Sequence, residues 1–198
     1  MRNAYHYLGE NSIEKLPYRV SVGLHPWHME TENVELQLQK VQNLALLTNV
    51  AAIGEAGLDR AIDTPINIQL QAFEAQIKIA EKVHKPMIIH CVRAYSDIFT
   101  LLKKYDSISM CLHGYSGNAQ QTEAFLKLKN VYFSFGKQLW TEKTAEIFKI
   151  IPIEKIFLET DNTSKSIEEI YLQAASLKKI KEEQLLELIY LNKQKFFT

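Results

Sequence analysis

Short apolar runs alternate with amphipathic segments along nearly the whole chain, and this alternation leaves few folds open. The runs are YRVSVGLHP (18–26), NVAAIGEAGL (49–58), KPMIIHCV (85–92), SMCLHGYSG (109–117), NVYFSFG (130–136) and KIFLETD (155–161). Most are rich in Val, Ile, Phe and Tyr and too short for helices, so they read as strands. Between them, three- and four-residue spacing predicts helices over about 32–47, 96–105, 119–129 and 142–151, with two more near 166–178 and 181–196. The clearest helix starts at Thr64 and Pro65, a capping residue and a first-turn proline, and carries Ile66, Leu70, Phe73, Ile77 and Ala80 on one face. Strand then helix, repeated, implies parallel strands joined by right-handed crossovers. The fold class is therefore α/β, a (β/α) barrel or an open sheet.

Composition narrows the function classes. A length of 198 residues, with no linker or low-complexity tract, fits a single domain over 1–198. With 23 basic against 23 acidic residues there is no global field to draw the chain onto nucleic acid or an anionic membrane, so any phosphate binding must be local. Cys91 and Cys111 lie inside apolar runs at no metal-binding spacing and read as reduced core thiols. No apolar stretch approaches bilayer length and the first residues lack a signal-peptide pattern, so a cytoplasmic protein with no membrane partner is expected.

In α/β folds, catalytic groups collect where strands finish. Four runs carry a metal-ligand type there: Glu55, His90, His113 and Asp161. Each has an ordinary reading alone: a loop cap or ion pair for Glu55, a core histidine for His90, a turn residue for His113, a helix cap for Asp161. Their recurrence on successive runs favours one shared site. Carboxylates and neutral imidazoles together suit Zn²⁺, Mn²⁺ or, with more oxygen ligands, Mg²⁺. Gly54 and Gly57 beside Glu55 would allow a sharp turn and a close approach. Asp59 and Arg60 are expected just outside the ligands, facing them or the substrate, or as a plain surface ion pair.

In order, SVGLHPWH, IGEAGLDR, PMIIHCVRAYSD, CLHGYSG, VYFSFGK and IFLETD resemble the motifs of the TatD family of metal-dependent deoxyribonucleases, over about residues 20–197. The resemblance implies a TIM-type (β/α) barrel and metal-assisted hydrolysis of DNA phosphodiesters; the near-neutral charge makes strand ends or single-stranded segments more natural substrates than long duplexes. It implies that Glu55 bridges two metals, that His90 and His113 complete the shell of the second, and that Asp161 serves the first and orients the attacking water. His25 matches a histidine near the substrate, and Arg60, Arg93 and Lys137 are candidate phosphate contacts. Trp27 or Trp140 could stack on a base. The family's opening Asp-x-His-x-His strand has no counterpart here; His6 has Ala4 at the partner position and reads as a surface residue. The barrel is therefore expected to be incomplete at its N-terminus and the activity reduced. A small-molecule hydrolase of the wider amidohydrolase-like group, or an inactive metal- or partner-binding relative, are the alternatives.

Overall fold

A computed structural model describes residues 13–197. His6 lies outside them. The chain forms two compact units that divide between Met110 and Cys111.

The first unit runs β1 (Val20–Val22), α1 (Val34–Leu44), β2 (Val50–Asp59), α2 (Ile66–Val83), β3 (Met87–Val92) and α3 (Tyr95–Leu102). Its strands stand in the order β1–β2–β3. Both pairings are parallel, each with a break in register, at Val20/Ser21 and at Ile53/Ala56. Buried Val, Ile and Ala residues fill β2, as expected of a strand covered on both faces. The alternation predicted these elements to within a few residues, with one difference. β2 continues through Asp59, so Glu55 sits at an irregularity inside the strand.

The buried face of α2 also differs in kind from its prediction. Phe73, Ile77 and Ala80 are fully buried, each of the larger two contributing on the order of 1.5–3 kcal/mol. Alongside them, however, stand two buried glutamines, Gln69 and Gln76, two turns apart. Gln76 accepts from the Leu24 backbone N–H (2.7 Å) and donates to the Leu24 carbonyl (3.1 Å). Gln69 does the same to Asp59, accepting at 2.7 Å and donating at 2.9 Å, and donates further to the Thr64 carbonyl at 2.7 Å. Each side-chain amide thus imitates a strand partner, and each grips backbone where its strand runs out and ladder bonds end. Leu24 precedes His25, and Asp59 closes β2, so α2 fixes both places at which polar side chains emerge.

The second unit holds α4 (Ala119–Leu126), β5 (Val131–Phe135), α5 (Glu142–Ile150), β6 (Ile156–Leu158), α6 (Ile167–Lys178) and α7 (Glu182–Phe196), with β4 (Met110–Leu112) at the division. The order is β4–β5–β6, and β5 pairs with β6 in parallel. Alternate residues of β5 serve two clusters. Phe133 and Phe135 pack edge-on against the buried Tyr115 ring (4.8 and 6.0 Å), while Tyr132 meets Phe157 and Phe196. Capping boxes at Asn118 with Gln121 and at Ser166 with Glu169 start α4 and α6. In α7, buried Asn192 donates to the carbonyls of Ile153 (2.7 Å) and Ile156 (2.9 Å), tying the closing helix to the start of β6. Among the described residues, no helix is long and apolar enough to cross a membrane.

The glutamine grips are testable by Gln76→Leu, which keeps the volume and deletes the hydrogen bonds to buried Leu24. The expected loss is about 1–3 kcal/mol, the cost of leaving buried polar groups unsatisfied. Urea unfolding should show a lower midpoint at unchanged slope, and a midpoint equal to wild type would refute the role.

Candidate metal centre

The approach of β2 to β3 sets the geometry of the first unit's polar cluster. Gly57 pairs with His90 across the two strands. Gly54 and Gly57 have φ of 141° and 153°, a region that favours glycine. A Cβ on Gly57 would lie 1.9 Å from the His90 carbonyl oxygen, and one on Gly54 2.4 Å from that of Ile88. Only glycine fits at either place. The register break between Ile53 and Ala56 brackets Glu55, and a bulged strand re-aims its side chain.

The result is that ligand atoms of His25, Glu55 and His90 all lie within 4.8 Å of one another. His25 Nε2 stands 3.8 Å from Glu55 Oε2, and the His25 and His90 rings meet at 4.3 Å between centroids. Both histidines are buried and Glu55 is partly exposed. The Glu55 carboxylate and the His90 imidazole, with His25 beside them, are donor types that suit a divalent ion, so the residues fit the metal their chemistry implies.

Hydrogen bonds fix the ring nitrogens. Asp59, at the end of β2 and 2% exposed, accepts from the Trp27 indole N–H (2.7 Å) and the Ala61 backbone N–H (2.8 Å) and lies 3.1 Å from His90 Nε2. Burial alone would raise the Asp59 carboxyl. The bonds from Trp27, Ala61 and His90, with the attraction of the His90 ring, outweigh it and hold the group below the ordinary carboxylate value. An ionised carboxylate only accepts, so His90 Nε2 carries a proton, and in the neutral ring the lone pair is on Nδ1. His25 is held the other way. It caps the 3-10 turn Pro26–His28, its Nδ1 accepting from the Trp27 backbone N–H at 3.2 Å, so a neutral His25 carries its proton on Nε2.

The second unit repeats the carboxylate and histidine pairing. His113, just after β4, has Nδ1 3.1 Å from Glu159 Oε2, and Glu159 also accepts from the Gly114 N–H (2.8 Å) and the Ser134 hydroxyl. Burial would raise Glu159, but His113, Ser134 and Gly114 together lower it. Ionised Glu159 accepts from the Nδ1–H of His113, which in the neutral ring leaves the lone pair on Nε2. Asp161, two residues on, is exposed with φ of 35°, a left-handed conformation that aspartate tolerates.

The remaining expected residues are placed as follows. Arg60 is bound to Asp97 of α3 through Nε (2.9 Å) and a terminal nitrogen (3.1 Å). Arg93 is exposed and left-handed, φ 53°, immediately after β3. Lys137 donates to the Asn162 carbonyl at 2.9 Å. Sequence reasoning did not single out Glu159, Gln69 or Gln76. Polar residues at helical spacing within the apolar face of α2 were the available signal for the glutamines, and the carboxylate beside Asp161 in IFLETD for Glu159.

The profile of a family described as TatD related DNase matches residues 10–198. An uncharacterized metal-dependent hydrolase, YabD, of Bacillus subtilis is 29% identical over 196 residues, covering 89% of this chain and 76% of the relative. A 3′-5′ ssDNA/RNA exonuclease TatD of Rahnella is 31% identical over 150 residues, 71% of this chain and 56% of that protein. Relative to that exonuclease and to the deoxyribonuclease Tat-D of Schizosaccharomyces pombe, of which it covers 55%, the chain spans little more than half the length. Among solved structures, YjjV, a TatD homolog from Escherichia coli, superposes with a TM-score of 0.79 at 24% identity, covering 91% of this chain and 77% of that one. At that identity the likeness speaks for the fold, and it agrees with the α/β class expected from the alternation of strands and helices and with the barrel that the resemblance implied.

The pairing of Asp59 with His90 predicts a separable effect. Asp59→Asn should weaken divalent-metal affinity about 10- to 100-fold, as loss of a partner that orients a ligating histidine does elsewhere. Calorimetric titration with Mn²⁺ or Zn²⁺ reads it, and unchanged affinity would show that His90 is oriented without Asp59.

Proposed function

The chain belongs to the TatD family of metal-dependent hydrolases, and from that premise we propose that it hydrolyses phosphodiester bonds of DNA or RNA at strand ends or in single-stranded segments. The observation that carries the reading is the convergence, within 4.8 Å, of two groups able to hold a metal, Glu55 and His90, with His25 beside them to meet the substrate. The named activities of the relatives from Rahnella and Schizosaccharomyces pombe point to nucleic acid as the substrate. The equal numbers of basic and acidic residues, 23 of each, suit a substrate held locally better than a long duplex gripped along its backbone.

In this reading Glu55 and His90 hold a divalent ion, Zn²⁺, Mn²⁺ or Mg²⁺, and His113 and Asp161 are assigned as ligands on their match to the family's motifs. When bound, such an ion supplies a Lewis acid that lowers the pKa of water and offsets charge developing on phosphoryl oxygens. Asp59 and Glu159 hold His90 and His113 in the tautomers described above. His25, with its proton on Nε2, donates a hydrogen bond to a phosphate oxygen of the substrate, and Asp161 positions the attacking water and takes its proton. Arg93 and Lys137 are proposed as secondary phosphate contacts; Arg60, already engaged by Asp97, would have to exchange that partner to join them.

Metal titration and digestion of end-labelled oligonucleotides in Mn²⁺, Mg²⁺ or Zn²⁺ test this reading. His90→Ala and Glu55→Ala should each lower metal affinity at least tenfold and abolish cleavage. Hydrolysis of small esters or amides by the wild-type chain, with no cleavage of any oligonucleotide in any of the three metals, would overturn it.

A further inference from the structure

Trp27 is 59% exposed, yet it is held as firmly as a core residue. Its indole N–H is bound to buried Asp59 at 2.7 Å, and its backbone N–H to His25 Nδ1 at 3.2 Å. Its ring stands edge-to-face with His25 (5.0 Å, 79°) and with His90 (5.8 Å, 75°). A solitary exposed apolar side chain on a protein surface is ordinary, and its rotamers are usually mobile. Here three contacts of the indole fix its orientation while the residue stays 59% exposed. The other tryptophan, Trp140, is 42% exposed, but the Lys165 ammonium lies 5.0 Å from its ring centroid.

A rigid indole directly against both histidines of the candidate metal group is pre-organised for a flat ligand whose reacting centre sits at that group. We infer that Trp27 is a stacking platform for an unpaired nucleobase of the substrate strand, adjacent to the phosphodiester being cleaved. This inference rests on the nucleic-acid reading above and adds a selectivity to it. Every base offers a π-face, so the platform tolerates any sequence, and because it is already fixed, little conformational entropy is lost on stacking. In a duplex the faces of internal bases are covered by their neighbours, so the platform favours single strands and frayed ends.

The chain carries two tryptophans, so Trp140→Phe leaves Trp27 as the only indole fluorophore. The metal-loaded Trp140→Phe chain is titrated with a phosphorothioate-linked oligothymidylate, which resists hydrolysis, with an abasic strand of the same length and linkage, and with a blunt duplex. Saturable quenching by the thymidylate, with about ten- to a hundredfold weaker binding of the abasic strand and of the duplex, is expected. Equal affinity for the thymidylate and abasic strands, or no quenching by either, overturns the platform.

Kinetics supply the second arm, because Trp27→Leu also removes the hydrogen bond to Asp59. That variant should raise KM for a cleavable thymidylate about ten- to a hundredfold more than it lowers kcat/KM for the abasic strand, and Trp27→Phe, which lacks the same hydrogen bond but keeps a ring, should recover part of the loss on the thymidylate alone. A parallel loss on both strands would mean that Trp27 acts only through Asp59, and the platform falls. If wild type cleaves the thymidylate and the abasic strand equally well, the platform alone fails. If base-dependent quenching is present and no oligonucleotide is cleaved in any metal, the nuclease reading fails and the platform stands.

Discussion

A buried carboxylate organises the polar end of the first unit. Asp59 is 2% exposed, and removing an ionised group from water is tolerable only when it is fully engaged. Its partners come from three places along the chain: the indole of Trp27 in the turn after β1, the backbone of Ala61 beyond β2, and the ring of His90 in β3. The charge therefore does more than find acceptable surroundings. It requires the segments after β1 and β2 to hold fixed positions relative to β3, and the Gln69 and Gln76 amides of α2 hold the backbone at Asp59 and Leu24 while they do so. The glycines at 54 and 57 permit the same arrangement from the other side, because β3 passes where a Cβ would stand.

What the sequence made legible follows from the physics of each signal. Strand and helix alternation is a pattern of many residues, and it located the elements of both units. Glu55 and His90 were visible because charged or titratable residues beside apolar strand runs are costly, hence conspicuous, and the structure brings them together with His25. Asp59 could be read either as a neighbour of the ligands or as half of a surface pair with Arg60. The structure buries Asp59 against His90 and gives Arg60 to Asp97 instead. Asp59 is the last residue of β2 and Arg60 lies in the turn beyond it, so their proximity in sequence was a poor guide to pairing.

The glutamines were illegible for a different reason. Gln69 and Gln76 satisfy backbone groups that no sequence pattern marks as unsatisfied, since the need arises only where Leu24 and Asp59 leave the parallel ladder. Sequence periodicity predicted Ile66 and Leu70 for the face of α2 that packs on the strands, yet these are only half-buried while the two amides are fully enclosed. An apolar stripe identifies which side of a helix faces inward. It cannot say where along that side the strands have ended and polar contacts replace packing.

The same chemical device occurs once in each unit, with the roles of the ring atoms exchanged. Asp59 engages Nε2 of His90, and Glu159 engages Nδ1 of His113. Both carboxylates are held ionised against their burial by the histidine together with other donors. Ionisation is what decides the tautomer, because a neutral acid could donate or accept and would leave the ring proton unassigned. On His25 a backbone N–H occupies Nδ1, which reverses the assignment and leaves a donor on Nε2 in the neutral ring. In their neutral rings His90 and His113 thus donate their N–H to a carboxylate and keep the opposite nitrogen's lone pair, while His25 gives its lone pair to a backbone N–H and keeps a proton on Nε2. The roles proposed for these histidines, ligand or substrate contact, follow the group behind each ring rather than their number.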